Sequence, residues 1–175
     1  MRHIIFNKNN TLRNGWWVLL FIALTILTTF LYTPLSRGLQ SIGVKVDWLG
    51  LLPVLFALMV SWVCTRLMKR PLSSIGLKMN RTWFNQLTLG IGLGALGVFL
   101  TVGFIWGVGG VAFSLNDNIN SQMLILGLYM MATAAIYEEI LFRGFVFQRL
   151  IKGIGVYSTQ IILALLFAIG HWENP

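Results

Sequence analysis

Three observations predict an all-α fold, a polytopic transmembrane bundle of about five helices forming a single domain over 1–175. The 175 residues are 57% hydrophobic and only 10% charged, and the mean hydropathy of +0.77 lies well outside the range of soluble domains. The apolar residues gather into runs of bilayer-crossing length. The thirteen Lys and Arg, against five Asp and Glu for a net charge of +8, fall between those runs. In a soluble protein such a balance would suggest nucleic acid. Between apolar runs it argues instead for topology set against an anionic membrane face, so no nucleic-acid partner is expected.

The N-terminal residues 1–14 are polar and carry Arg2, Lys8 and Arg13, with His3 read as a solvated histidine. The apolar run near 16–33 exceeds the ~7 to 15 residues of a signal-peptide core and lacks a small-residue cleavage site, so it reads as a retained first helix. A short connection over 34–47 holds Arg37, Lys45 and Asp47, and a second helix follows near 48–68. Pro53 falls in its first turns, where proline is tolerated. Cys64, the only cysteine, sits beside Trp62 and Thr65; it can form no intramolecular disulfide and reads as a small buried apolar residue. The basic segment Arg66 to Arg81, followed by Trp83 and Phe84, has the pattern of a cytoplasmic loop with an interfacial aromatic anchor.

A third helix near 87–107 carries Gly90-x-x-x-Gly94 and Gly103-x-x-x-Gly107, spacings that let another helix approach closely. Its Gly-x-Gly pattern does not read as a nucleotide site, since no strand precedes it and no acidic ribose partner follows. Residues 111–121 form a polar loop with Asp117 as its one charge. The fourth helix, near 122–150, exceeds one span, so it is expected to emerge from the bilayer or to bend near Gly144. A fifth, near 158–172, follows a turn at Gly153 and Gly155. Lys and Arg number three in the N-terminal tail, two in the first loop and five in the second. With none in the third loop, this alternation predicts a multi-pass cell-membrane protein whose N-terminus is cytoplasmic.

The stretch Tyr137-Glu138-Glu139-Ile140-Leu141-Phe142-Arg143-Gly144 places two carboxylates and an arginine inside an otherwise apolar helix. A charge within the bilayer costs roughly 2.5 to 3.5 kcal/mol on insertion scales, so it pairs, lines a wet cavity or does chemistry. Glu139 and Arg143 are four apart and share a helical face, predicting a buried structural pair, while Glu138 is turned about 100° away and left free. If the last two helices form an antiparallel hairpin about the glycine turn, Glu138 and His171 reach nearly the same depth, roughly 18 to 20 Å from the turn. A glutamate in a low-dielectric cavity suits a general base that takes a proton from water, and a neighbouring histidine can hold that water. The alternative at this point is a buried polar network that only fixes helix packing.

At these residues the chain resembles the family of intramembrane proteases that comprises type II CAAX prenyl endopeptidases and bacteriocin-processing or abortive-infection proteins. Its first motif, Glu-Glu-x-x-x-Arg, stands as Glu138-Glu139-Ile140-Leu141-Phe142-Arg143, extended by Gly144. Its second, Phe-x-x-x-His, stands as Phe167-Ala168-Ile169-Gly170-His171. The close resemblance runs from Gln122 to Trp172. It implies an endopeptidase in which Glu138 activates water, His171 helps hold it, and Glu139 with Arg143 supports the site, acting on a peptide or protein substrate within the lipid bilayer. The family places a further His, followed four residues later by Asn or Asp, on a later helix; this chain has two histidines in all.

The chain is therefore expected to be C-terminally incomplete relative to the family, and its last apolar run of about fourteen residues, short of the ~20 of a full span, agrees. A divalent metal, zinc, enters by resemblance only. A catalytic zinc takes three protein ligands plus water, whereas Glu138 and His171 supply two and Glu173 stands at the very end. The reading from a different class is a non-catalytic membrane protein, such as a bacteriocin self-immunity factor or a scaffold, that keeps the fold without the full site.

Overall fold

The computed structural model describes residues 5–6, 11–78, 80–114 and 120–172. The expectations at Arg2, His3, Lys8, Asp117 and Glu173 lie outside the described residues. Helices α1 (Asn14–Ser41), α2 (Leu51–Leu67), α3 (Arg81–Gly107), α4 (Ser121–Glu138), α5 (Phe147–Ile154) and α6 (Val156–Gly170) follow one another. A π-helical stretch, Glu139–Val146, joins α4 to α5, and 3-10 turns cover Val46–Gly50 and Leu72–Ile75. The all-α expectation holds. Four helical segments, Asn14–Ser41, Val46–Leu67, Arg81–Gly107 and Ser121–Ile154, are long and apolar enough to cross a membrane, and Val156–Gly170 is a shorter apolar helix. The chain divides into two compact units, residues 1–77 with 125–175 and residues 78–124.

In the first unit α1 runs on to Ser41, through Pro34 and Arg37, where the sequence suggested a connection from residue 34. Proline removes a single N–H bond and can be carried within a membrane helix, so the helix continues until its end is closed at Gly43. There the Gly43 N–H reaches the Gln40 carbonyl at 3.0 Å and the Val44 N–H reaches the Leu39 carbonyl at 3.0 Å, with Gly43 at φ +94. This paired closure satisfies two terminal carbonyls and needs a left-handed residue, which glycine adopts without strain. Along α1 the hydroxyls turn back onto the helix, Thr25 on Phe21, Thr28 on Thr25 and Thr29 on Ile26, at 2.6 to 2.9 Å. These three hydroxyls are thereby satisfied within the helix rather than left facing hydrocarbon unpaired.

The core of this unit is small. Trp17 and Phe21 of α1, Val60 and Cys64 of α2, Ile75 and Phe145 form one buried cluster, and Val54, Ala57 and Ile140 form a second. Phe21 and Phe145 stack with centroids 5.1 Å apart. Helix α1 packs on α2 and α5, α2 packs on the π stretch, and α5 packs on α6. Large apolar side chains such as Phe30, Leu31 and Ile26 point outward, as expected of helices whose outer faces meet lipid. Ile75 lies within the segment read as a basic loop, yet its 3-10 turn buries it to 4% exposure. Cys64 is buried and free, as expected.

In the second unit α3 begins six residues earlier than the apolar run suggests. Asn80 caps it, its side-chain oxygen accepting from the Trp83 N–H at 2.9 Å, which satisfies one of the orphan donors of the first turn. Within this unit no residue of α3 is buried, so the close helix approach expected at Gly90 and Gly94 is not made there.

Candidate functional site

The fourth helical segment is apolar through α4 and then changes geometry where its charges begin. Glu138 is the last residue of α4 and Glu139 opens the π-helical stretch, a widened turn that often marks functional positions. Gly144 departs from helical geometry, with φ −77 and ψ −113, so the expected bend falls at the residue named for it. The stretch is anchored on its inner face by Ile140 against Val54 and Ala57 and by Phe145 against Phe21. Its other face carries the polar side chains.

Arg143 Nη1 lies 3.1 Å from Glu139 Oε2 and donates to Oε1 at 3.2 Å. The pairing expected from the spacing is formed. Its burial is not: the Arg143 side chain is 73% exposed and that of Glu139 58%. Inner positions of this stretch are taken by Ile140, Gly144 and Phe145, which leaves the Glu139 and Arg143 face outward.

The hairpin is formed, with Gly155 alone as its turn: α5 ends at Ile154, α6 starts at Val156, and Gly155 takes φ +85 and ψ 169, a region open to glycine. Gly153, the other glycine proposed for the turn, stays helical. This tight reversal brings His171, just past α6, back to the level of Glu138, with Nε2 3.5 Å from Glu138 Oε1. Both side chains are little more than one-third exposed. His171 Nδ1 sits 2.8 Å from the Phe167 carbonyl. A carbonyl only accepts, so Nδ1 carries the proton and, in the neutral ring, Nε2 turns its lone pair toward Glu138. The ring stacks on Phe167 at 4.1 Å, and Phe167 meets Phe142 edge-on at 5.4 Å. Backbone and aromatic contacts therefore both hold the imidazole.

Glu138, Glu139 and Arg143 line one pocket of about 670 Å³, together with Phe142, Gln160 and Phe167. Gln160 joins the site unexpectedly, although a lone amide in an apolar run, seven residues before Phe167 and so on its helical face, is a usable signal. The support that Phe142 and Phe167 lend to His171 was legible only as motif spacing. For a metal, Glu138 and His171 bring two donors together, and among the described residues no group of three or more His, Cys, Asp or Glu converges. That donor set falls short of the three protein ligands of a catalytic zinc.

No curated protein and no solved structure matches the chain. Residues 120–175 match the Rce1-like family, described as type II CAAX prenyl endopeptidase Rce1-like, and the match takes in both motifs on which the resemblance was read.

Proposed function

We propose that this chain is a membrane-embedded endopeptidase of the CAAX-protease type, with Glu138 as general base and His171 as the group that orients the water. The observation that carries the reading is the 3.5 Å approach of His171 Nε2 to Glu138 Oε1. That distance is longer than a direct hydrogen bond, and a water beside the gap can donate one hydrogen to the carboxylate and the other to the Nε2 lone pair. Its own lone pair is then free for a carbonyl carbon in the pocket. As the new C–O bond forms, the water proton passes to Glu138; as the C–N bond breaks, the same proton goes to the leaving amine. Glu139 and Arg143, held to each other at 3.1 Å, keep a neutral pair beside Glu138 and line the path of a peptide. The match over residues 120–175 supports the substrate class, a peptide bond presented at a membrane.

In this reading the N-terminus is cytoplasmic, and a reporter fused within 112–120 reads extracytoplasmic; a cytoplasmic signal overturns that topology. The activity is tested with membranes bearing the full chain and peptide substrates, prenylated and unmodified. Cleavage by the parent and its loss in Glu138→Gln, which keeps the shape but cannot take the proton, is the expected result. Equal cleavage by parent and Glu138→Gln rejects Glu138 as the base. Absence of any cleavage by the parent transfers the lead to the non-catalytic immunity or scaffold reading.

A further inference from the structure

A second pocket, of about 1190 Å³, opens at the end of the first unit where α1 begins, bounded by the close of α2 and by α5. Its charged lining is of one sign. Arg13, Lys69, Arg70, Arg149 and Lys152 line it, and among the described residues no acidic one does. Arg149 sits deepest in this lining. It is 2% exposed, its Nε has no hydrogen-bond partner among the described residues, and its guanidinium lies 5.7 Å from the Phe145 ring centroid. A ring face attracts a cation but does not neutralise it.

Burying a guanidinium without an anion is among the costlier arrangements a protein makes. Here neighbouring charges add to the cost, since Arg70 lies close enough to act on Arg149, and both act on Lys152. The α1 terminus adds a partial positive charge of its own: Asn14 and Gly15 line the pocket, and the first turn carries no acidic residue. Lys69 and Arg70 are fixed by a closed turn, the Lys69 N–H on the Arg66 carbonyl and the Arg70 N–H on the Thr65 carbonyl, both at 2.9 Å. Lys69 takes the left-handed φ of 55 there, the conformation this helix-end closure requires. Several cations held on three separate elements around one concavity make an anion site, with Arg149 supplying buried donors suited to phosphate oxygens.

We propose that this pocket binds a phosphate group, as an anionic lipid headgroup or a soluble phosphate compound would present it. Trp16 and Trp17 at the pocket, at the start of a span-length helix, set it at the level of a bilayer interface, where tryptophan collects. The site is independent of Glu138 and His171.

The test follows thermal unfolding of the full chain in detergent with dioctanoyl phosphatidylglycerol, dioctanoyl phosphatidylcholine or inorganic phosphate. At about a hundredfold excess over Kd the anionic lipid should raise Tm by about 5 °C. Arg149→Gln should weaken that binding at least about tenfold. Should Arg149→Gln fail to fold, the double variant Arg70→Gln/Lys152→Gln, at two exposed positions, decides the matter by the same criterion. A shift from the lipid but not from inorganic phosphate identifies the headgroup as the source, and equal shifts identify a soluble phosphate. Equal shifts from phosphatidylcholine and phosphatidylglycerol, no shift from any ligand, or unchanged binding by the variants overturns the proposal.

Discussion

Two clusters of charge sit on one apolar helical segment, Ser121–Ile154, and they are treated in opposite ways. Before the bend, Glu139 and Arg143 lie on an outward face and Glu138 is half-buried, each with an oppositely chargeable neighbour within 3.5 Å. After it, Arg149 is buried at 2% exposure with an Nε unpartnered among the described residues and cations around it. The bend at Gly144 and the stacking of Phe145 on Phe21 separate the two. Charge placed in a membrane helix has more than one stable outcome: it can face outward with a local partner, or face inward toward a site that takes its counter-charge from elsewhere.

The largest effect on that comparison is expected from Phe145→Ala. The ring is fully buried and stacked on Phe21, and removing such a side chain costs about 3 to 5 kcal/mol. Because Phe145 holds the bend, its loss should lower the melting temperature in detergent and weaken both clusters together. A variant that melts like the parent would show that the bend is held by other contacts.

Next in size is Gly155→Ala. With φ at +85 and ψ at 169 a side chain there meets a strained backbone, at about 1 to 3 kcal/mol. The hairpin is also what brings His171 to Glu138, so activity should fall further than stability does. Parallel losses of the two would mean the turn only supports the fold.

Arg143→Ala should have the smallest effect on stability. An exposed i,i+4 pair contributes about 0.3 to 0.5 kcal/mol, so thermal melting should barely change. A loss as large as that of a buried pair, about 3 to 5 kcal/mol, would mean that a covering surface buries Arg143 in the membrane and would erase the contrast with Arg149.

Much of this was legible in the sequence for identifiable reasons. Glu139 and Arg143 pair because a four-residue spacing puts them on one face even through a widened turn. The meeting of Glu138 and His171 follows from equal distances to a glycine turn, a purely geometric argument. Exposure was not legible, since spacing says which residues share a face but not which face the core takes; that is decided by Ile140 and Phe145 finding α2 and α1. The first connection was expected from residue 34, although the chain continues helically through Pro34 to Ser41, because one lost hydrogen bond does not outweigh the need of a membrane segment to keep the rest. Ile75 was hidden by the basic residues around it, and the pocket around Arg149 is assembled from three segments whose charges each look like an ordinary loop.

Whether Glu138 and His171 act as one unit on water is read from a double-substitution cycle on peptide cleavage. Removing a general base costs about 10² to 10⁴ in rate, and residues that act together lose it once rather than twice. Glu138→Gln, His171→Ala and the double variant should therefore cleave at similarly low rates while melting close to the parent. If the single losses multiply in the double variant, or if Glu138→Gln cleaves at the parent's rate, the two side chains do not share a catalytic water and their 3.5 Å approach is a packing contact.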